Sequence, residues 1–348
     1  MPAGVRRPRR WPVLLLLSAV LVLGVVLAAG LGAVRIEPSQ VVTILAGHAG
    51  VPLPSAHTAQ QDSVLWFLRL PRVVLACLVG GSLALCGAAM QGLFRNPLAD
   101  PALLGVSSGA ALGAVASIVL AGRFAWTAPF WALPVCAFAG ALAATATVQF
   151  LGRLDGRTHL AGLLLAGIAV NTFSGAGVGL ATFLANDAQL RSITFWSLGS
   201  LGAASWTVCA LLSPLVLIPG WFLLRQASLL NAMLLGESEA GHLGFRVVTR
   251  KRIMLVCGAL MVGASVSMVG IVGFVGLVAP HLLRLALGPD HRLLLPASTL
   301  LGASLMLAAD TVCRTVAIPA EIPVGVATAL LGAPFFLWLL WREQRSPF

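Results

Sequence analysis

Charge is what this chain has least of. Of its 348 residues only 9% are Asp, Glu, Lys or Arg, against roughly 25% in a globular domain, while 59% are hydrophobic. That balance excludes a soluble fold and leaves a polytopic membrane protein. Lysine occurs once, as Lys251 behind Arg250. A phosphate-cradling Walker loop needs Gly-Lys-Ser/Thr, so this chain cannot bind ATP in that manner. Tyrosine is absent, and no histidine stands centrally in an apolar run, so no iron ligand is evident. His48, His57, His159, His242, His281 and His291 lie in loops or at the ends of apolar runs, with no pair at helical spacing and no His-Glu-x-x-His pattern. No Ser/His/Asp arrangement is readable. The chain is therefore expected not to be an enzyme, and no metal or cofactor is assigned to it.

Acidic residues are almost confined to loops, and Asp310 alone comes close to a span interior. Ion-driven transport needs an acidic partner for the coupling ion inside the membrane, so an ion-coupled secondary transporter is the weaker alternative and the energy source is expected outside the chain. The net charge of +11 is spread singly between apolar runs, without the clustered basic face that nucleic-acid binding requires. The six cysteines sit in or beside apolar runs without metal-type spacing and read as small buried hydrophobes.

What is present is a series of apolar runs near 11–34, 64–91, 101–120, 130–152, 159–184, 206–224, 250–270, 272–287, 293–314 and 324–341. Each is long enough, or nearly so, to cross about 30 Å of hydrocarbon as a helix. The first follows Arg6, Arg7, Arg9 and Arg10 but is longer than a signal-peptide core, so a retained helix is expected. Ten spans put both termini on one side. With that side cytoplasmic, sixteen of the 22 Lys and Arg fall inside, leaving Arg35, Arg69, Arg72, Arg123, Arg191 and Arg314 outside.

Two stretches echo each other at an offset of 183: Arg69, Gly80, Ser82, Gly87 and Pro97 against Arg252, Gly263, Ser265, Gly270 and Pro280. The second span thus matches the seventh. Five helices per copy is an odd number, so the copy is inverted, giving an all-α protein of two five-helix halves, about 11–184 and 206–341, in one permease domain over 1–348. The run at 272–287 is short for a crossing and is expected to be surrounded by other helices. On the fifth span Gly167, Gly175 and Gly179 accompany Asn171 and Ser174, a stripe that suits either helix packing or the lining of a wet pathway. The stretch 225–250 reads as two short helices broken by glycine, with Leu235, Gly236, Glu237, Glu239, His242, Leu243 and Gly244 offered to a partner protein.

These residues resemble a known family. Arg69-Leu70-Pro71-Arg72, Gly87-Ala88-Ala89-Met90-Gln91-Gly92-Leu93-Phe94-Arg95-Asn96-Pro97-Leu98-Ala99-Asp100-Pro101 and Leu104-Gly105-Val106-Ser107-Ser108-Gly109-Ala110 are similar to the FecCD-type permeases of iron-chelate, haem and vitamin B12 importers. So are Phe195-Trp196-Ser197-Leu198-Gly199-Ser200, Gly236 to Gly244, Gly273-Phe274-Val275-Gly276-Leu277-Val278-Ala279-Pro280-His281, Pro323-Val324-Gly325 and Gly332-Ala333-Pro334.

The resemblance implies ten helices in the type II fold of ATP-binding-cassette importers, in a bacterial inner membrane with both termini cytoplasmic. It implies a second copy of the chain, two cytoplasmic ATPase subunits that carry ATP and Mg, and a periplasmic binding protein. It also implies a pathway at the dimer interface, lined by Asn171, Ser174 and Gly175 on the fifth helix and Val324, Thr328 and Leu331 on the tenth. Arg69, Arg72 and Arg314 become docking residues for the binding protein, and the Leu235 to Gly244 stretch becomes the ATPase coupling element. The wording of the motifs is most like haem importers, with ferric siderophore and vitamin B12 importers as alternatives.

Overall fold

The structure is a computed structural model that describes residues 10–51, 57–123, 129–154, 157–158, 160–318 and 320–344. Helix dominates: α1 (Arg10–Gly30), α2 (Pro38–His48), α3 (Ala59–Ser63), a π turn (Val64–Arg69) running straight into α4 (Leu70–Phe94), a 3-10 turn (Pro101–Leu104), α5 (Val106–Arg123) and α6 (Ala132–Leu151). There follow α7 (Leu160–Phe183), α8 (Asp187–Ser197), α9 (Trp206–Leu224), α10 (Ala227–Met233), α11 (Glu237–His242), α12 (Val247–Val269), α13 (Val275–Leu287), α14 (His291–Val316) and α15 (Val324–Gln344). Strands β1 (Arg153–Leu154) and β2 (Arg157–Thr158) form one small antiparallel pairing between α6 and α7.

Among the described residues seven helices are long and apolar enough to cross a membrane, and three shorter apolar helices, Val106–Gly122, Val275–Leu287 and Val324–Trp338, complete the ten expected segments. Some boundaries differ from the sequence reading for local reasons. The span expected from 101 begins at Val106, because Asp100 caps the 3-10 turn through its bond from Ala102 N–H, and Gly105 then takes left-handed backbone. In the first copy of the echo α4 runs unbroken to Phe94 and stops on left-handed Arg95, whereas in the second α12 stops at Gly270, also at positive φ. The hydropathy pattern does not foretell α2 or α8. Asn186 starts α8 as a capping box with Gln189, and Thr58 starts α3 the same way with Gln61.

The inverted repeat is visible in the packing. In one half α5 lies on α6 and α7; in the other α13 lies on α14 and α15. Likewise α4 packs on α13 and α14, and α12 packs on α5 and α6. The echoed serines touch each other: Ser82 Oγ and Ser265 Oγ share a hydrogen bond of 2.8 Å, fully buried. Equivalent atoms of two repeats can meet only beside the axis relating them, so this bond marks the pseudo-two-fold axis. The leading helices depart from the symmetry, since α9 lies on α4 and α12 while α1 lies mainly on α14.

Lipid offers no hydrophobic force to join helices, so close backbone approach does that work. A Cβ at Gly80 would sit 2.3 Å from the Gly302 carbonyl oxygen, and one at Gly87 would sit 1.8 Å from that of Gly276. These contacts press α4 onto α14 and α13. They bury α13, the short eighth span, against α4, α14 and α15, as its length requires.

Candidate functional site

Three groups of candidate residues fall at distinct places. At the end where α1 finishes and α4 begins, Arg69, Arg72 and Arg314 converge on one recess of about 540 Å³ that Glu321 also lines. Arg69 is only 5% exposed, and its guanidinium donates to the carbonyls of Ala29 (2.7 Å), Gly30 (2.9 Å) and Val34. Arg314 donates to the carbonyl of Ala28. Both therefore serve the last carbonyls of α1, which have no partner within their own helix and carry its negative dipole end.

Arg72 is held on both sides. Its Nε donates to Asp310 Oδ1 at 2.9 Å and its second terminal nitrogen lies 2.8 Å from the same oxygen, while Nη1 donates to Glu321 at 2.9 and 3.1 Å. Asp310 is 1% exposed and also lies 3.7 Å from Arg314 Nε, one helical turn along α14. A buried carboxylate shared by two guanidiniums ties α4 and α14 together, and Glu321 covers the side of Arg72 nearest solvent. Sequence reasoning did not give Asp310 or Glu321 a role. The spacing of Asp310 and Arg314, four residues apart on one helix face, was the readable signal for the first; nothing local signals the second.

At the opposite end, where α1 starts and α14 begins, α10 and α11 form the expected pair of short helices. Gly236 and Gly244 bracket α11 at φ of 129° and 88°, positions that a side chain would strain. Leu235 and Leu243 are 71% and 62% exposed, Glu239 and His242 are exposed, and Ala240 is buried beneath them. Glu237 is tied to Lys251 at 2.5 Å, so the single lysine holds α11 onto α12. Arg250 donates to Gln226 at 2.9 Å from the same helix.

Asn231 of α10 donates to Asp290 (2.7 Å) and accepts from the N–H of His291 (2.8 Å), while Arg10 reaches Asp290 at 3.0 Å. Partial burial acts to raise the Asp290 carboxyl, but the bonds from Asn231 and Arg292 N–H and the charges of Arg10 and Arg292 outweigh it and hold the carboxyl below its usual range. The short helices are thus wired to the starts of α14 and α1. Lys251, Asn231 and Asp290 are further parts of this end that motif reading passed over.

The third group lies along α7 and α15. Asn171 accepts a bond from Ser108 of α5 at 2.5 Å, and Ser174 is buried beside it, lining a cleft of about 650 Å³ between α5, α6 and α7. Gly175 is exposed, with nothing near an added Cβ, and lies on a free apolar face with Leu165, Ile168 and Phe183. On α15, Val324 and Thr328 are buried and Leu331 is exposed; Thr328 and Leu331 border a cavity of about 80 Å³ against α13. Among the described residues, no group of three His, Cys, Asp or Glu is placed to hold a metal ion.

Comparison with known proteins follows the same lines. Residues 20–342 match the family model described as the FecCD transport family. The chain is 48% identical over 295 residues to the hemin transport system permease protein of Yersinia pestis, covering 83% of this chain and 88% of that one. It is 45% identical over 300 residues to the cobalamin import system permease protein of Halobacterium salinarum, covering 85% and 77%. A solved inward-facing transporter, described as of metal-chelate ABC type, superposes with a TM-score of 0.82 at 32% identity over 95% of this chain and 99% of that one.

Proposed function

This chain belongs to the FecCD transport family and is the permease subunit of an ATP-binding-cassette importer, and from that premise we propose that its cargo is haem, carried from periplasm to cytoplasm between two copies of the chain. The observation that carries the reading is the division of labour between the two ends: exposed leucines on a glycine-hinged pair of short helices at one, and a guanidinium recess at the other. The greater identity to the hemin permease and the wording of the motifs favour haem over a ferric siderophore or cobalamin.

In this mechanism, two cytoplasmic ATPase subunits grip Leu235 to Gly244 and hold ATP and Mg themselves. The loaded binding protein sets its carboxylates at the recess of Arg69, Arg72 and Arg314, where the positive charge steers them and Arg72, the one whose solvent side is covered only by Glu321, offers the direct pairing. Closure of the ATPases moves α10 and α11. The bonds through Lys251, Asn231 and Asp290 pass that movement to α12 and α14. The faces of α7 and α15 then shift the pathway between outward and inward access, driven by the different affinities of ATP and binding protein for the two states. Both termini are assigned to the cytoplasmic side of the inner membrane.

The test is reconstitution with the cognate ATPase and binding protein, followed by uptake of labelled haem, ferric siderophore and cobalamin in parallel. ATP-dependent uptake of haem is the expected result. Preference for another cargo would replace haem, and uptake that survives ATPase inactivation but not collapse of the ion gradient would return the reading to secondary transport.

Glu321 supplies a sharper check on the docking recess, since it occupies Arg72 where a partner carboxylate would bind. Glu321→Gln is expected to tighten binding-protein affinity at low salt by roughly two- to fivefold, the scale of one exposed ion pair. Unchanged affinity would remove Arg72 from the docking surface.

A further inference from the structure

The chain turns abruptly between α12 and α13. Gly270 leaves α12 at φ 77°, and four residues later Phe274 stands at φ 67°, immediately before Val275 opens α13. Left-handed backbone is expensive for a bulky side chain, and such residues persist only where the surroundings hold them.

The inverted repeat shows what the backbone alone would prefer. The equivalent helix of the first half, α5, opens at Val106 behind Gly105, which stands at φ 78°. Each of the two helices is thus preceded by one left-handed residue, a glycine before α5 and a phenylalanine before α13. The ring, not the backbone, must account for the second.

The ring sits in a notch on α15. A Cβ added at Gly332 would lie 2.2 Å from Phe274 Cγ and 2.3 Å from its Cβ, so the missing side chain of Gly332 is the space that Phe274 fills. Phe336, one turn further along α15, lies 6.0 Å from the Phe274 ring, and His281, two turns along α13, meets Phe335 and Phe336. The cavity of about 80 Å³ beside the ring is bordered by Thr328, Leu331 and Gly332 of α15.

We propose that Phe274 is a positioning residue that latches α15 to the start of α13 by seating its ring in the Gly332 notch, and so sets the resting place of the Thr328 and Leu331 face. The strained corner favours release, and the ring contact opposes it. The latch is a statement about packing; its consequence for transport rests on the importer reading, in which α15 lines the pathway.

The experiment uses the full chain in proteoliposomes with its ATPase, carrying Thr328→Cys, with labelling of that thiol followed by peptide mass spectrometry so that the native cysteines need no removal. Thr328 is buried at this contact. In the Phe274→Gly variant, which suits the left-handed corner but lacks the ring, labelling is expected to quicken about tenfold as the unlatched population grows. Gly332→Ala, which cannot accept the ring, should act the same way. Combining Phe274→Gly with Gly332→Ala should label at the rate of either single variant and not at the product of the two, because both substitutions remove the same ring contact. Combining Phe274→Ala with Gly332→Ala lacks the ring as well and keeps the clash between the two Cβ atoms, so it should label at least as fast.

Labelling at the parent rate in both single variants would overturn the latch. Basal ATP hydrolysis without binding protein is measured in the same vesicles and is expected to rise when the latch is lost. Faster labelling with unchanged hydrolysis would leave the packing standing and overturn its role in the transport cycle.

Discussion

Asp310→Ala is expected to destabilise the detergent-solubilised chain by about 3–5 kcal/mol, the cost of leaving buried guanidinium charge without its partner. Asp310 is 1% exposed, and it takes two contacts from Arg72 while sharing Arg314. Its removal leaves Arg72 with Glu321 alone and Arg314 with the Ala28 carbonyl alone, so positive charge stays buried at the junction of α4 and α14 without the carboxylate that both share. Asp310→Asn keeps one acceptor for Arg72 and should fall between Ala and the parent. Glu321→Ala removes the solvent-facing contact alone and should cost about 0–1 kcal/mol, as exposed pairs do. Thermal unfolding of the three variants under one set of conditions provides the comparison. Equal losses for Asp310→Ala and Glu321→Ala would mean that the buried carboxylate is not what joins the two helices.

Gly87→Val should have an effect of similar size by a different route. The first carbon of any side chain at this position would lie 1.8 Å from the carbonyl oxygen of Gly276, and the obstacle is backbone, which cannot rotate out of the way. Overpacking of this kind costs about 1–3 kcal/mol and more where backbone must move. Here it forces α13 away from α4 and loosens a helix too short to stand in lipid unaided. The yield of monodisperse protein and its unfolding temperature are expected to fall sharply. Gly175→Ala is the control, because an added Cβ there meets nothing within 4 Å and alanine favours helix. If the two substitutions behaved alike, close approach of α4 to α13 would not be a determinant of the fold.

The membrane class, the ten apolar segments, the inverted halves and the two short helices at α10 and α11 were legible before any coordinates. Each depends on local hydropathy, on glycine punctuation or on a repeat that can be counted. The single lysine, preceded by arginine, likewise showed that the chain carries no Walker loop. Motif resemblance placed the family, and the match of residues 20–342 bears it out. Less was legible at the candidate sites. Arg69, Arg72 and Arg314 look alike along the chain, yet Arg69 serves the carbonyls that end α1 while Arg72 lies between two carboxylates. The partners of Arg69 and Arg72 come from residues 35 to 249 positions away.

The composition and order of residues thus determined which segments enter the bilayer, how many there are and that the halves oppose each other, because transfer into hydrocarbon is decided segment by segment. Only the tertiary structure decided which charges are buried together, which glycines are notches rather than hinges, and why a phenylalanine holds the left-handed position that opens α13. Those outcomes depend on where a distant helix comes to rest, and no local pattern encodes the position of a neighbour that the chain has yet to reach.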